Sequence, residues 1–542
     1  MLKSNSIKFF IVILLILGVF FRFTNLEKKV YWHDEVITSI NVSGFTGDQV
    51  REDIFNNRLV IPEDLMRYQR FNREKNFIET VISFSIHDPL HPPIYYILLR
   101  FWNHLLGSSI AITRSLSAIF SLLVLLGIYG ICKELFEAPL VGVIAVSLVA
   151  ISPFQVLYAQ EAREYSLWPA IALLSSLALL RAMRLKTKRN WVIYSITIAL
   201  ALYSHLFSVF VIFSHGIYVL ILEFFKRNQS NRTIYSYLLS VALGFLIFSP
   251  WIILIFVNPA KIDSATSWSQ STESLSFLIK WWARNLGHIF IDIRNSGYNF
   301  NHALEKEDLF FAPLLIILVF YSFYFLCRNT TRRTWLFLLT FIGITSLALI
   351  LPDLLQGGRR SLVARYFMPA YLGIQITVAY LLASQILNFS QQAWKQKAWQ
   401  AVTVLLISAG IMSCVMSSSA EVWWNKHINY YFPQAARIIN QSEFPLVVSD
   451  DNRVANALTL SYLLNPNTKL LLGPKLDLHH FLNQEKNQLS AIDAENQGKE
   501  FSDIFLLNCS KKLRDRISSS NHYALKPAYN KYGTNLQRLV EK

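Results

Sequence analysis

The sequence predicts an α-helical polytopic membrane protein of about eleven transmembrane helices, with external juxtamembrane helices and a small C-terminal α/β extramembrane domain. Three observations carry this reading. Hydrophobic residues make up 53% of the 542 positions and charged residues only 16%, whereas a soluble chain of this length carries nearer a quarter charged residues. The apolar residues come in runs long enough to cross a bilayer as helices, which takes roughly 17 to 25 residues. After residue 418 the pattern changes to short apolar runs of strand length alternating with helix-like stretches.

The first run, 7–24, follows Lys3, contains Lys8 near its start and Arg22 at its end, and has no small-residue cleavage site behind it. It therefore reads as a signal anchor rather than a cleaved signal peptide. Further runs at 110–132, 138–157, 166–183, 191–206, 207–224, 234–257, 309–327, 334–351, 366–388 and 399–418 complete the set. The stretch 92–107 contains Arg100, Asn103 and His104 and is short for a crossing. The basic loops decide its place. With 92–107 at the surface, the loops 181–189, 226–232, 328–333 and 395–397 all share the side of Lys3 and Lys8, as Lys- and Arg-rich cytoplasmic loops should. Counted as a span, it would put all four outside. It is read as an amphipathic surface helix, with 47–55 and 63–85 in the same interfacial layer.

On this topology the loops 25–109 and 258–308 and the tail face outward. The expected division is a catalytic transmembrane domain over 1–418 and an extracytoplasmic α/β domain over 419–542. In the tail, strands are expected at 445–449, 469–472 and 503–508, helices at 452–464 and 476–487, and a last strand pair at 523–529 and 535–540 around Gly533.

A net charge of +16 would suit a nucleic-acid partner, but the Lys and Arg residues cluster between apolar runs, where orientation in the membrane accounts for them. No nucleic acid is expected. Cys132, Cys327, Cys414 and Cys509 show no CxxC or His-Cys spacing, so neither a disulfide nor a cysteine metal site is expected.

The residues with chemistry gather at the external ends of spans. Tyr31-Trp32-His33-Asp34-Glu35 stands directly after the first run, and ionisable groups at that depth mark functional sites. Asp34 and Glu35 are the expected catalytic residues, Asp34 as the base, with His33 against substrate. His87, His91 and Tyr95 surround Pro92-Pro93, which can open the surface helix. Glu161, Arg163 and Tyr165 sit in a charged hairpin between spans, Arg359 and Arg360 follow a Gly-Gly pair, and Arg365 and Tyr366 head a span. Arginine matches phosphate oxygens with a planar fork. These residue types suit group transfer from a lipid phosphate: the carboxylate takes the proton of an acceptor hydroxyl or amine while cations stabilise the departing phosphate.

Plainer readings stand beside these. His87 and His91 can cap and pack the surface helix, Arg163 can pair with Glu161 or Glu164, and Arg359 and Arg360 can meet lipid headgroups. Trp281-Trp282 and Trp423-Trp424 are expected to mark the membrane interface. A divalent cation between Asp34 and Glu161 stays open, although there is no Asp-x-Asp motif and arginines can neutralise phosphate instead. A transporter or flippase of a lipid-linked precursor would need charges at mid-bilayer and broken helices; a scaffold would act through its tail alone.

The order of these motifs is a span, an Asp-Glu pair, a long external loop closing on His-Pro-Pro-x-Tyr-Tyr, and a charged hairpin reading Glu-x-Arg-x-Tyr. It resembles the GT-C glycosyltransferases, the group containing protein O-mannosyltransferases and lipid A aminoarabinose transferases. The likeness covers about 7–420 in topology and is close in its motifs over the first 165 residues. It implies that Asp34 is catalytic, that the 161–165 hairpin carries a second site residue, and that the donor is a sugar on polyprenyl or dolichyl phosphate used at the outer face. It also implies a bacterial plasma (inner) membrane protein with a cytoplasmic N-terminus, in contact with membrane lipids. His91-Pro92 stands where the aminoarabinose transferases have Lys-Pro, so a lysine contact to donor phosphate falls here to His91, Arg163 or Arg365. The acceptor, whether glycan, lipid or protein, is not coded; loop 258–308, with Trp268, Trp281, Trp282, His288 and Asp292, is where its choice is expected.

Overall fold

The computed structural model describes residues 4–77, 80–81, 88–225, 231–257, 266–293, 310–387, 392–473, 501–519, 523–531 and 534–542. Within the described residues each predicted apolar run is largely helical. Among those residues seven helices are long and apolar enough to cross a membrane: Ile110–Leu135, Leu167–Leu185, Arg232–Val257, Ala312–Asn329, Arg332–Gln356, Ala364–Leu387 and Ala393–Asn429, the last of which is α-helical only as far as Ser419. An eighth results if Pro139–Ala150 and Pro153–Ala159, bent by 58°, form one span. The three remaining predicted runs fall in Ser4–Phe23, Lys188–Ser204 and Ser208–Phe224. The chain is an integral, multi-pass membrane protein.

Helix Ile94–Leu106 has 13 residues, about 20 Å of helix against a hydrocarbon layer of roughly 30 Å. Tyr95, Leu99 and Asn103 on one side are buried, while Leu98, Phe101 and Leu105 on the other are exposed. A short helix with one bare apolar face is the surface helix expected for 92–107.

At the bend between Ala150 and Pro153 the helical hydrogen bonding lapses, and Arg22 of the first helix takes up the freed carbonyls. It donates to Ala150 O at 2.5 Å and Val149 O at 3.2 Å, as well as to Gly18 O and Ser121 Oγ. Buried among apolar helices, this guanidinium is satisfied by neutral acceptors, so it anchors the break rather than lining a transport path. The close approach depends on Gly18, where a Cβ would stand 2.8 Å from Ala150 Cβ and 2.9 Å from its carbonyl oxygen.

Beyond the bundle lies a six-stranded sheet of order β1-β3-β2-β4-β6-β5, with β1 Leu59–Val60, β2 Pro445–Ser449, β3 Lys469–Leu472, β4 Asp503–Leu507, β5 Tyr523–Lys531 and β6 Thr534–Glu541. The central β3-β2-β4 set is parallel and β2 is buried along its length, as strands covered on both faces are. Helix Val454–Ser461 belongs to the core on one face and Lys511–Ser518 to that on the other. The helix expected at 476–487 lies outside the described residues, as does Gly533.

β1 comes from the segment that follows the first helix and pairs antiparallel with β3, so the sheet draws on residues from both sides of the division expected at 418/419. Segment 47–55 and the adjoining Leu65 and Tyr68, expected in an interfacial layer, pack into the core beneath the sheet. Val50, Ile54, Leu65 and Tyr68 share a core with Phe432, Val447 and Leu458, because the sheet domain offers these apolar side chains a dry surface of their own.

The Gly18 contact gives a stability test: Gly18→Val should destabilise the protein by about 1–3 kcal/mol through overpacking, read as a lowered unfolding midpoint in detergent.

Candidate active site

Helix His33–Ser43 begins immediately after Trp32 and carries Asp34 and Glu35 in its first turn, where the helix dipole favours negative charge. Gly44, at φ +90°, ends it. Neighbouring residues on a helix project about 100° apart, and these two acids meet different surroundings.

Glu35 turns inward and is completely buried. Its Oε1 accepts from Arg114 Nε at 2.7 Å and from the Ala162 amide at 2.9 Å; its Oε2 accepts from Arg114 Nη2 and Lys426 Nζ, each at 2.7 Å. Arg114 spends its remaining donors on the carbonyls of Leu26, Lys29 and Val30. Lys426 Nζ is also 3.3 Å from Glu161 Oε1, which accepts from Asn425 Nδ2 at 2.6 Å. Burial would push the Glu35 carboxyl up, but Arg114 and Lys426 outweigh it and hold the group below the usual range. Burial, with Glu35 nearby, pushes Glu161 up.

Asp34 turns the other way, toward arginines. Its Oδ2 lies 3.2 Å from Arg365 Nη2, and its side chain keeps 15% exposure. Against the upward push of burial, Arg365 and Arg163 hold its carboxyl well below the usual range. The Arg365 guanidinium lies over the Tyr165 ring at 5.2 Å and near the rings of Trp32 and Tyr366. Arg163 reaches Thr38 Oγ1 and Glu164 Oε1, each at 3.3 Å. Glu164 in turn accepts from Tyr96 OH at 3.1 Å and stands 4.0 Å from His91 Nε2, whose Nδ1 bonds Asp88 at 2.7 Å.

Buried polar atoms with no hydrogen-bond partner collect around Asp34: Trp32 Nε1, His33 Nδ1, Glu161 Oε2, Arg163 Nε, Arg365 Nε and Asn425 Oδ1. Native interiors hold few such atoms. Asp34 Oδ2 is another, and the nitrogens of His33, Arg163 and Arg365 leave donors unspent in its neighbourhood.

The structure thus brings together His33, Asp34, Arg163 and Arg365, with Glu161, Tyr165, Tyr366 and His91 close around them. Other expected site residues go elsewhere. Tyr95 is buried with its hydroxyl on Ser117 Oγ at 2.7 Å, and its neighbour Tyr96 takes the place at Glu164. Arg359 donates to the Trp268 carbonyl and Arg360 lies 3.6 Å from Asp353, so both shape the 353–361 turn. His87 lies outside the described residues. The tryptophan pairs do not mark the interface as expected: Trp281, Trp423 and Trp424 are buried because the last two share Asp292 as acceptor and Trp282 bonds Ser361. Among the described residues no group of three or more His, Cys, Asp or Glu side chains could hold a metal ion; the divalent site considered between Asp34 and Glu161 finds cations beside each acid.

Arg163 pairs with Glu164 as the plainer reading allowed, whereas Arg114, Asn425 and Lys426 were missed. For Arg114 a signal existed, an arginine inside an apolar run. Lys426 had none, since it follows the last run in a mixed polar stretch.

Residues 90–254 match the family model described as dolichyl-phosphate-mannose-protein mannosyltransferase. Comparison with curated proteins finds no sequence match. Among solved structures, ArnT from Cupriavidus metallidurans bound to undecaprenyl phosphate is similar at TM-score 0.53 and 10% identity, over 99% of this chain and 98% of that one. Its apo state is similar to the same degree over 98% of each chain. The oligosaccharyltransferase AglB from Archaeoglobus fulgidus, in complex with an inhibitory peptide and a dolichol-phosphate, gives TM-score 0.48 and 12% identity over 87% of this chain and 65% of its own. The resemblance to GT-C membrane glycosyltransferases is borne out by the family match and the ArnT-like fold, and the fold likeness extends through the C-terminal sheet.

The His91–Asp88 pair gives a pH test. Asp88 outweighs burial and raises His91 above its usual value, so the stability this histidine adds is full below about pH 6.5 and is lost as pH rises through the raised value. The Tm gap between wild type and His91→Gln should be wider at pH 6 than at pH 9.

Proposed function

We propose that this chain is a glycosyltransferase that takes a sugar from a polyprenyl-phosphate donor and places it on an acceptor hydroxyl or amine at the extracytoplasmic face, with Asp34 as general base. The observation that carries this reading is the pairing of one partly open carboxylate with Arg365 at 3.2 Å, with Arg163 beside it and guanidinium nitrogens of both arginines left without a partner. The family match over 90–254 and the undecaprenyl phosphate bound by the ArnT neighbour support the donor class.

In this reading the donor phosphate enters between Arg163 and Arg365. Sharing their charge, it draws Arg365 away from Asp34 and raises the affinity of that carboxylate for a proton, so the base becomes competent once donor is seated. The acceptor oxygen or nitrogen attacks the anomeric carbon and passes its proton to Asp34. The bond from that carbon to the phosphate oxygen breaks, and its electron pair leaves with polyprenyl phosphate, whose added negative charge the two arginines stabilise. Because these guanidiniums neutralise the leaving group, a divalent ion is not required. Glu35, clamped on both oxygens, positions the helix and does not exchange protons. The basic loops support an orientation with the N-terminus in the cytoplasm and 419–542 outside, in a membrane that this reading takes to be a bacterial plasma membrane.

Asp34→Asn should lower transfer by roughly 10² to 10⁴-fold, the usual contribution of a positioned base, while undecaprenyl phosphate still binds within about threefold. Arg365→Ala should weaken that binding. Transfer from a panel of polyprenyl-phosphate sugars that Asp34→Asn leaves unchanged would rule the assignment out.

A further inference from the structure

We infer that the segment 423–429, which leads from the last long helix into the sheet domain, is a working wall of the active site, and that Lys426 is the positioning residue that sets Asp34 through Glu35 and Glu161. The catalytic part of this inference rests on the glycosyltransferase reading above.

The segment is fixed at its start. Trp423 and Trp424 both donate their indole N–H to Asp292 Oδ2, at 2.8 and 2.7 Å, and Trp424 stacks on His288 at 4.7 Å. It is fixed again at its end. Asn429 Oδ1 accepts the His33 amide at 2.8 Å, one of the first-turn donors that a helix cannot satisfy itself. Trp32, in the N-cap position, offers no side-chain acceptor, so the cap of the Asp34 helix comes from the far end of the chain. Asn429 Nδ2 then bonds Asn456, and Asn456 bonds Asp451 just after β2, which ties the helix start to the sheet.

Between these anchors Lys426, with no exposure, places Nζ 2.7 Å from Glu35 and 3.3 Å from Glu161. Arg114 can neutralise one buried carboxylate. Without Lys426 the second would lie uncompensated in a dry interior, an expensive arrangement. Glu35 is the residue next to Asp34, so any shift of Glu35 toward a different partner turns the first helical turn and moves the base. Misplacement by about 1 Å at a reacting group costs on the order of 100-fold in rate.

The test uses the full chain in detergent, as wild type, Lys426→Met, Lys426→Arg, Glu161→Gln and the Glu161→Gln/Lys426→Met pair. Lys426→Met should lower kcat about 100-fold with KM for donor held within about threefold, and Lys426→Arg should restore at least a tenth of the activity. The double variant removes one charge of each sign, which keeps the interior neutral and the fold intact, and its kcat should lie at least tenfold below that of Glu161→Gln. Amide hydrogen exchange over 33–39, which needs no activity, should rise about tenfold in both Met variants. A double variant with the kcat of Glu161→Gln and unchanged exchange would overturn the proposal. If wild type transfers no sugar yet exchange still rises in the Met variants, the glycosyltransferase reading falls while the positioning by Lys426 stands.

Discussion

Four charges shielded from water hold one end of the helix bundle to the sheet domain: Glu35, Glu161, Arg114 and Lys426. Moving any one of them out of water carries a penalty of several kcal/mol. The arrangement tolerates this because the Arg114 fork meets Glu35 on both oxygens, backbone carbonyls absorb its other donors, and the Ala162 amide supplies a further bond. Buried ion pairs are weak evidence for stability but well suited to selecting one arrangement. Here the members come from the stretch after the first helix, the start of Ile110–Leu135, the loop after the bent pair and the exit from the last long helix. None of these pieces can take its place without the others.

That cluster explains how two adjacent acids come to differ. Glu35 is saturated and its helix turn is immobilised; Asp34, one residue earlier, is left facing Arg365 and Arg163 with part of its surface open. A second ring, Tyr96, Glu164, His91 and Asp88, steadies Arg163 from behind. Rigid support around a small number of unsatisfied groups is the expected structure of a site that binds through charge.

The sequence revealed what depends on local pattern. Apolar runs gave the helices, the distribution of basic loops argued for 92–107 as a surface helix, and ionisable groups at span ends pointed to Asp34, Arg163 and Arg365. It did not reveal what depends on direction or distance in space. Tyr95 and Tyr96 are indistinguishable in a motif, yet a 100° turn of helix sends one to Ser117 and the other to Glu164. The tryptophan pairs resemble interface anchors until Asp292 is seen beneath them. Lys426 belongs to a polar stretch like many others, and its meaning comes from acids hundreds of positions earlier. The two residues of β1 are too few to show any alternation at all.

Those two residues also set the timetable of assembly. Leu59 and Val60 find their partners in Leu471 and Leu470, so they leave the ribosome long before the chain that will pair with them exists. Through most of synthesis this edge stays unmatched, together with the apolar side chains of 47–68 that share the core beneath the sheet. A chain cut short by premature termination would therefore keep a sticky, incomplete face that protein quality control can recognise.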